Sequence, residues 1–193
     1  MRRLILASAS PRRRELLTQI GFKFEVRPAH VNEDPRLDED PISYVVRLAR
    51  EKALSVFTEI ASNSPDPAQV VVLGADTTVT LDGHILAKPE DAADAARMLR
   101  MLSGRTHRVV TGVAVATAES TEVAAEVTEV EFLSLTEKEI SAYIATGEPM
   151  DKAGAYGIQG YAARWIPRVE GCYFNVVGLP IALVATMLES NNL

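Results

Sequence analysis

The chain has 193 residues, 47% apolar and 24% charged, enough to bury a core in one domain or two packed lobes, so disorder is excluded as its main state. Eleven Gly and ten Pro are ordinary usage, which excludes collagen-like and low-complexity chains. Twenty Lys and Arg against 26 Asp and Glu leave a net charge of −6, which argues against a general binder of duplex nucleic acid or anionic membranes.

Arg2 and Arg3 with the short apolar stretch behind them imitate a signal peptide, but that stretch is shorter than the usual core of about 7–15 residues, and Pro11-Arg12-Arg13-Arg14 follows at once. The late apolar tract, residues 176–188, is interrupted by Gly178 and Pro180 and falls short of the roughly 20 residues of a membrane span. Cys172 is the only cysteine, which rules out an intrachain disulfide and a multi-cysteine metal site; its neighbours predict a core thiol in a reducing compartment. The expectation is a cytoplasmic protein with no membrane and no nucleic-acid partner.

Residues 3–7 predict a short buried strand, and Ser10 caps a helix that carries Pro11 at its first position and Gly21 beyond its end. Residues 23–27 predict a second strand. Residues 32–40 crowd five acids around Pro35 and read as a loop. Pro41 opens a helix to about residue 58, in which Ile42, Val45, Val46, Ala49, Ala53 and Val56 form the inward face and Lys52 lies at its edge. After a polar loop over 61–67, residues 69–79 predict a strand buried on both sides, closed by a turn at Asp82-Gly83. Residues 89–102 predict a helix with Ala92, Ala95, Ala96, Leu99 and Leu102 inward. Two β runs follow, 108–117 and 122–133. Thr136 with Glu139 forms a capping box for a helix that stops near Thr146-Gly147, and the last helix runs over about 180–188. No repeat and no linker divides the chain, and the order implies mixed α/β around a central sheet.

Three segments can carry chemistry. Ser8-Ala9-Ser10-Pro11-Arg12-Arg13 joins a strand to a helix N-terminus, where backbone N–H groups and the helix dipole suit a phosphate; an ordinary solvated helix start fits the spacing equally well. Five of the basic residues fall in the first 14 positions with no acid before Glu15, and Arg12 and Arg13 can add bidentate contacts to phosphoryl oxygens. No Walker motif and no G-x-G-x-x-G fingerprint occurs. Asp76 stands inside an apolar strand, where a carboxylate is costly unless a metal, a cation or hydrogen bonds compensate it, which suits a metal-assisted or base role; the other reading is a structural Asp that caps a neighbouring loop. Lys52 and Lys88 are further cations suited to phosphates, although a lone lysine is usually a solvated charge, and Glu33 among its acidic neighbours reads first as part of a solvated loop. His30, His84 and His107 are not spaced as a zinc site, and His107 is expected to bond locally. The third segment, residues 151–160, is dense in small residues, and Gln159 offers the donor and acceptor that reading a nucleobase edge requires, although a Gly-rich loop often merely turns the chain.

In order along the chain these motifs, with Arg50-Glu51-Lys52-Ala53, Gly74-Ala75-Asp76-Thr77, Lys88-Pro89, Ser103-Gly104, His107, Thr111-Gly112, Asp151-Lys152-Ala153-Gly154-Ala155-Tyr156 and Asn175-Val176-Val177-Gly178-Leu179-Pro180, resemble the Maf nucleoside triphosphate pyrophosphatases over nearly the whole length. The resemblance implies a single Maf-like domain over 1–193, with a two-lobed mixed sheet flanked by helices around a central cleft, related to the inosine-triphosphate pyrophosphatases. It implies hydrolysis of dTTP and UTP to monophosphate and pyrophosphate with Mg²⁺, Mn²⁺ or Co²⁺, clearing non-standard or excess pyrimidine nucleotides. Carried over by position, Asp76 is the catalytic residue; Arg12, Thr77 and Gln159 select the substrate; Ser8, Arg12, Arg13, Lys52 and Lys88 bind phosphate; Glu33 and Asp76 hold metal. The alternatives are the 7-methyl-GTP branch of the same family and a non-catalytic nucleotide-binding regulator of septum formation, and a homodimer is compatible with the resemblance.

Overall fold

The computed structural model describes residues 2–63 and 65–193; Met1 at the start of the chain, and Ser64 in the loop expected over 61–67, lie outside them. The elements are β1 (Arg3–Leu6), α1 (Pro11–Gln19), β2 (Phe24–Val26), α2 (Pro41–Ala61), β3 (Val70–Leu81), β4 (His84–Leu86), α3 (Ala92–Leu102), β5 (Thr106–Ala116), β6 (Thr121–Glu131), α4 (Glu137–Ala145), β7 (Arg168–Glu170), α5 (Tyr173–Val177) and α6 (Ile181–Ser190). Six strands follow the order β2-β1-β3-β5-β6-β7, and β4 pairs with β3 as a seventh. The mixed α/β reading therefore holds. β1 runs parallel to both β2 and β3, with Leu4 opposite Phe24 on one side and Val71 on the other, while the β3–β4 and β6–β7 pairs are antiparallel.

The chain divides into two compact units, one made of residues 1–76, 111–126 and 178–193, the other of 77–110 and 127–177. In the first unit Ile5, Ala7, Ala49, Ala53, Val56, Val70, Val72, Ala114 and Ala116 form a buried cluster. The small residues in it let α2 lie against the sheet almost backbone to backbone. A Cβ added to Gly74 of β3 would stand 2.2 Å from the Ala49 carbonyl oxygen, and one on Gly112 of β5 would stand 2.3 Å from that of Val45. α2 is thus clamped to the sheet over residues 45–53. Its first turn lies ahead of that clamp, so Ile42, expected inward, is 48% exposed.

In the second unit α3 starts at Ala92, later than the Pro89 start expected, because the Asp91 side chain caps it by accepting from the Asp94 N–H. Ala92 is exposed, and Met98 takes a core place beside Ala95, Leu99 and Leu102. The capping box of Thr136 and Glu139 is formed in full. β7 and α5 lack a sequence signal of their own. α5 is instead tied in by Asn175, wholly buried, whose amide donates to the Val109 carbonyl at 3.0 Å and to Thr128 Oγ1 at 2.9 Å. Cys172, expected in the core, is only half-buried; its backbone N–H and carbonyl hold the Thr128 hydroxyl.

Candidate active site

The first unit gathers Ser8, Arg13, Glu33, Lys52 and Asp76. Continuous burial along β3 carries Asp76 into the sheet, 8% exposed, two residues beyond the Gly74 contact that brings α2 against the strand. On α2, Lys52 lies one position from Ala53 of that contact and is equally buried, so its ammonium meets the Asp76 carboxylate at 2.7 Å. The same ammonium lies 2.5 Å from a Glu33 carboxylate oxygen. Lys52 is therefore neither an edge residue nor a solvated charge, and Glu33 does not stand in a freely solvated loop.

The acidic loop is fastened to α2 at several points, which explains how an exposed acid keeps that position. Tyr44, buried in the second turn of α2, donates from its hydroxyl to the Glu33 carbonyl at 2.9 Å. Arg47 makes a two-pronged pair with Glu39 at 2.6 and 2.7 Å and reaches the Asp34 carbonyl. That hydrogen-bonded pair pulls the Glu39 carboxyl down to about 2. Sequence spacing did not point to Tyr44 or Arg47, since their partners lie in an irregular loop outside any helical period.

Arg13 lies in the first turn of α1. Ser10 caps the helix by accepting from the Arg13 N–H. The Arg13 guanidinium donates to the Gly178 carbonyl at 2.8 Å, to the Ala75 carbonyl at 2.9 Å and to the buried Ser8 hydroxyl at 3.3 Å. It grips the backbone beside Asp76 as well as facing its charge. Burial lowers the affinity of this guanidinium for its proton, and the nearby Asp76 charge works the other way. Arg12 stands close enough to add repulsion to Arg13. The Asp76 carboxyl is pushed up by its burial, opposed by the charges of Lys52 and Arg13. A carboxylate raised in this way is a better proton acceptor than a surface one.

The two carboxylates converge on one cationic nitrogen, and hard oxygen donors about a shared cation suit Mg²⁺ or Mn²⁺. Among the described residues no group of three or more His, Cys, Asp or Glu side chains could hold a metal, so further ligands would have to be phosphate oxygens and water, the habit of Mg²⁺.

The second unit holds Thr77, Lys88 and Gln159. Thr77 follows Asp76 on β3 and is half-buried. Lys88 is exposed, and its neighbour Ala87 accepts a hydrogen bond from the Gly154 N–H at 3.2 Å, which ties this stretch to the small-residue segment. Gly154 has φ 68° and packs on Val79, where a Cβ would stand 2.8 Å from a methyl carbon. Gln159 is exposed, and its side chain makes no hydrogen bond among the described residues. His107 does not bond locally. Its Nε2 meets the hydroxyl of Tyr156, 49 residues on, at 2.8 Å, and burial pushes the imidazole down to about 3, so it stays neutral. Residues 151–160 thus rest on a buried cluster of His107, Phe132 and Tyr156 rings, with centroids 4.7–5.3 Å apart.

Residues 3–191 match the family described as Maf-like protein, and the chain belongs to it. A dTTP/UTP pyrophosphatase of Koribacter versatilis is 55% identical over 186 residues, 96% of this chain and 93% of that protein. A dTTP/UTP pyrophosphatase of Salmonella typhimurium is 49% identical over 192 residues, covering this whole chain and 94% of its own length. Among solved structures, the Ham1 protein of Staphylococcus aureus shares the fold with a TM-score of 0.51 at 14% identity, over 98% of this chain and 99% of that one. Among the described residues no helix is long and apolar enough to cross a membrane.

Proposed function

We infer that this chain is a nucleoside triphosphate pyrophosphatase that cleaves dTTP and UTP to the monophosphate and pyrophosphate. The observation that carries the reading is the buried Lys52 ammonium held between Asp76 and Glu33, next to Arg13 at the start of α1. A sheet interior accepts a carboxylate at this cost when cations and a polyanionic ligand complete the charge balance. The names borne by relatives at about half identity over the full length support the choice of substrate.

In this reading the α1 N-terminus, Ser8, Arg12, Arg13 and Lys52 receive phosphate oxygens, and the family resemblance adds Lys88 to the phosphates and Thr77 and Gln159 to the base. Asp76 orients a water and accepts its proton. The new P–O bond forms from that water as the bridging P–O bond of the α–β anhydride breaks, and pyrophosphate departs with its charge met by the cations. Glu33 and Asp76 would hold a divalent cation, which when bound supplies Lewis-acid polarisation of the phosphoryl oxygens. Lys52 is seated between those carboxylates, so its ammonium already answers part of the charge that such an ion would meet.

Pyrophosphate release from a panel of dTTP, UTP, CTP, ATP, GTP and 7-methyl-GTP tests the reading. The expected result is highest kcat/KM for dTTP and UTP. A clear preference for 7-methyl-GTP would overturn the substrate, and absence of turnover with retained nucleotide binding would favour a regulator.

A further inference from the structure

Gln159 sits on a turn of residues 157–160, closed by a hydrogen bond from the Gly160 N–H to the Gly157 carbonyl at 3.1 Å. Both ends of that turn hang from one polar pair, a buried tyrosine and a half-buried glutamate. Tyr143, wholly buried near the end of α4, donates from its hydroxyl to Glu148 Oε1 at 2.9 Å and accepts from the Gly157 N–H at 3.2 Å. The other carboxylate oxygen of Glu148 accepts from the Tyr161 N–H at 3.3 Å. The Tyr161 ring stacks on Tyr143, with centroids 5.8 Å apart at 20°. Contact is so close that a Cβ on Gly160 would stand 2.0 Å from Glu148 Oε1. Lys152 donates to the Glu148 carbonyl at 2.6 Å and lays its stem against Gly157.

A turn made of Gly157, Ile158, Gln159 and Gly160 has little rigidity of its own, because glycine leaves its backbone freer than any other residue. Its position is imposed from Tyr143 and Glu148. The Gln159 amide, with no side-chain partner among the described residues, is left available for a ligand. An amide reads a base by offering a donor and an acceptor at fixed places, so displacing its backbone by about 1 Å can cost up to roughly 10²-fold.

We propose that Glu148 and Tyr143 are positioning residues for Gln159, setting base discrimination without touching the substrate. The proposal rests on the reading of Gln159 as the base-selecting residue. It predicts a split effect: discrimination falls while the handling of phosphate is kept.

The test compares Tyr143→Phe, Glu148→Gln and Gln159→Ala with wild type, reading kcat/KM for UTP and CTP and the inhibition constant of inorganic tripolyphosphate. Tyr143→Phe removes the hydroxyl that serves both Gly157 and Glu148, and Glu148→Gln keeps the shape but loses one acceptor. Both should lower the UTP-to-CTP ratio about tenfold or more, towards that of Gln159→Ala, with tripolyphosphate inhibition changed less than about threefold. Gly160→Ala, which pushes the carboxylate aside from the loop, gives the same reading if either variant fails to fold. A ratio within about twofold of wild type in folded Tyr143→Phe and Glu148→Gln, while Gln159→Ala flattens it, would overturn the positioning role and leave the base reading standing. A ratio untouched by Gln159→Ala would overturn both. Equal losses on every nucleotide and on tripolyphosphate would mark the pair as merely structural and overturn the proposal.

Discussion

Replacing Lys52 with Met keeps most of the buried stem and deletes the charge that joins Asp76 to Glu33. Removing one partner of a buried ion pair typically costs about 3–5 kcal/mol, since the other charge is left buried without compensation. Arg13 remains near Asp76, and the Glu33 side chain is 49% exposed and can turn to water, so the lower end, about 3 kcal/mol, applies here. At roughly 2–4 °C per kcal/mol for a chain of this size, the melting temperature should fall by about 6–12 °C at pH 8. The loss should depend on pH. Burial already pushes the Asp76 carboxyl above its ordinary 3.8, and deleting Lys52 removes the chief opposing charge. A raised carboxyl means that the folded state holds the proton more tightly, so the penalty is full above the folded-state value and fades as pH falls towards 3.8. Thermal unfolding of wild type, Lys52→Met and Lys52→Met/Asp76→Asn between pH 4 and 8 measures this. The double variant no longer strands the Asp76 charge, although Arg13 loses the charge it faced, so it should recover at least about half of the deficit and lose the pH dependence. An equal deficit for Lys52→Met at pH 4 and pH 8, or no recovery in the double variant, would refute a buried charge as the cause.

Arg13→Ala should lower melting temperature and activity together, because the guanidinium serves the Gly178 and Ala75 carbonyls, and hydrogen bonds from charged groups are worth about 1.5–3 kcal/mol each; wild-type melting with lost activity would show that only phosphate contacts matter. Gly74→Ala should cost at least about 1–3 kcal/mol and most of the turnover, since its methyl would force α2, and Lys52 with it, off the strand. Unchanged denaturant midpoint and activity would contradict that packing. Glu39→Gln should weaken the protein at neutral pH but not near pH 2. With its carboxyl held down to about 2 by Arg47, against 4.5 unperturbed, Glu39 stabilises the fold above about pH 4.5 and loses that contribution as pH falls through 2. A deficit that persisted at pH 2 would rule out the charge pair as its source.

The elements with strong periodicity or punctuation were legible in the sequence: the strand of Asp76 from its unbroken apolar run, α1 from Ser10 and Pro11, α4 from its capping box. β7, α5 and the short helical turns were not, since they are held by long-range contacts such as Asn175 to Val109 rather than by local pattern. At the site, the types of residue were readable and their pairing was not. Asp76 stood out because a carboxylate is out of place in an apolar strand, but its partner lies 24 residues back in α2. Glu33 looked like one acid among several because the contact that singles it out comes from Lys52, and the loop that presents it is fixed by Tyr44 and Arg47. Tyr143 and Glu148 carried no motif that separates them from the surface of α4 and the turn after it.

The most direct test of the central claim is product identity. Purified protein incubated with dTTP and Mg²⁺, with the products separated by anion exchange, should yield dTMP and pyrophosphate in equal amounts, with little orthophosphate or dTDP. A chelator should stop the reaction and added Mg²⁺ or Mn²⁺ restore it. Asp76→Asn, in which Lys52 keeps Glu33 as a partner, should stay folded and lose roughly 10²–10⁴-fold in rate. Orthophosphate and dTDP as first products would contradict the account, as would wild-type turnover by folded Asp76→Asn protein.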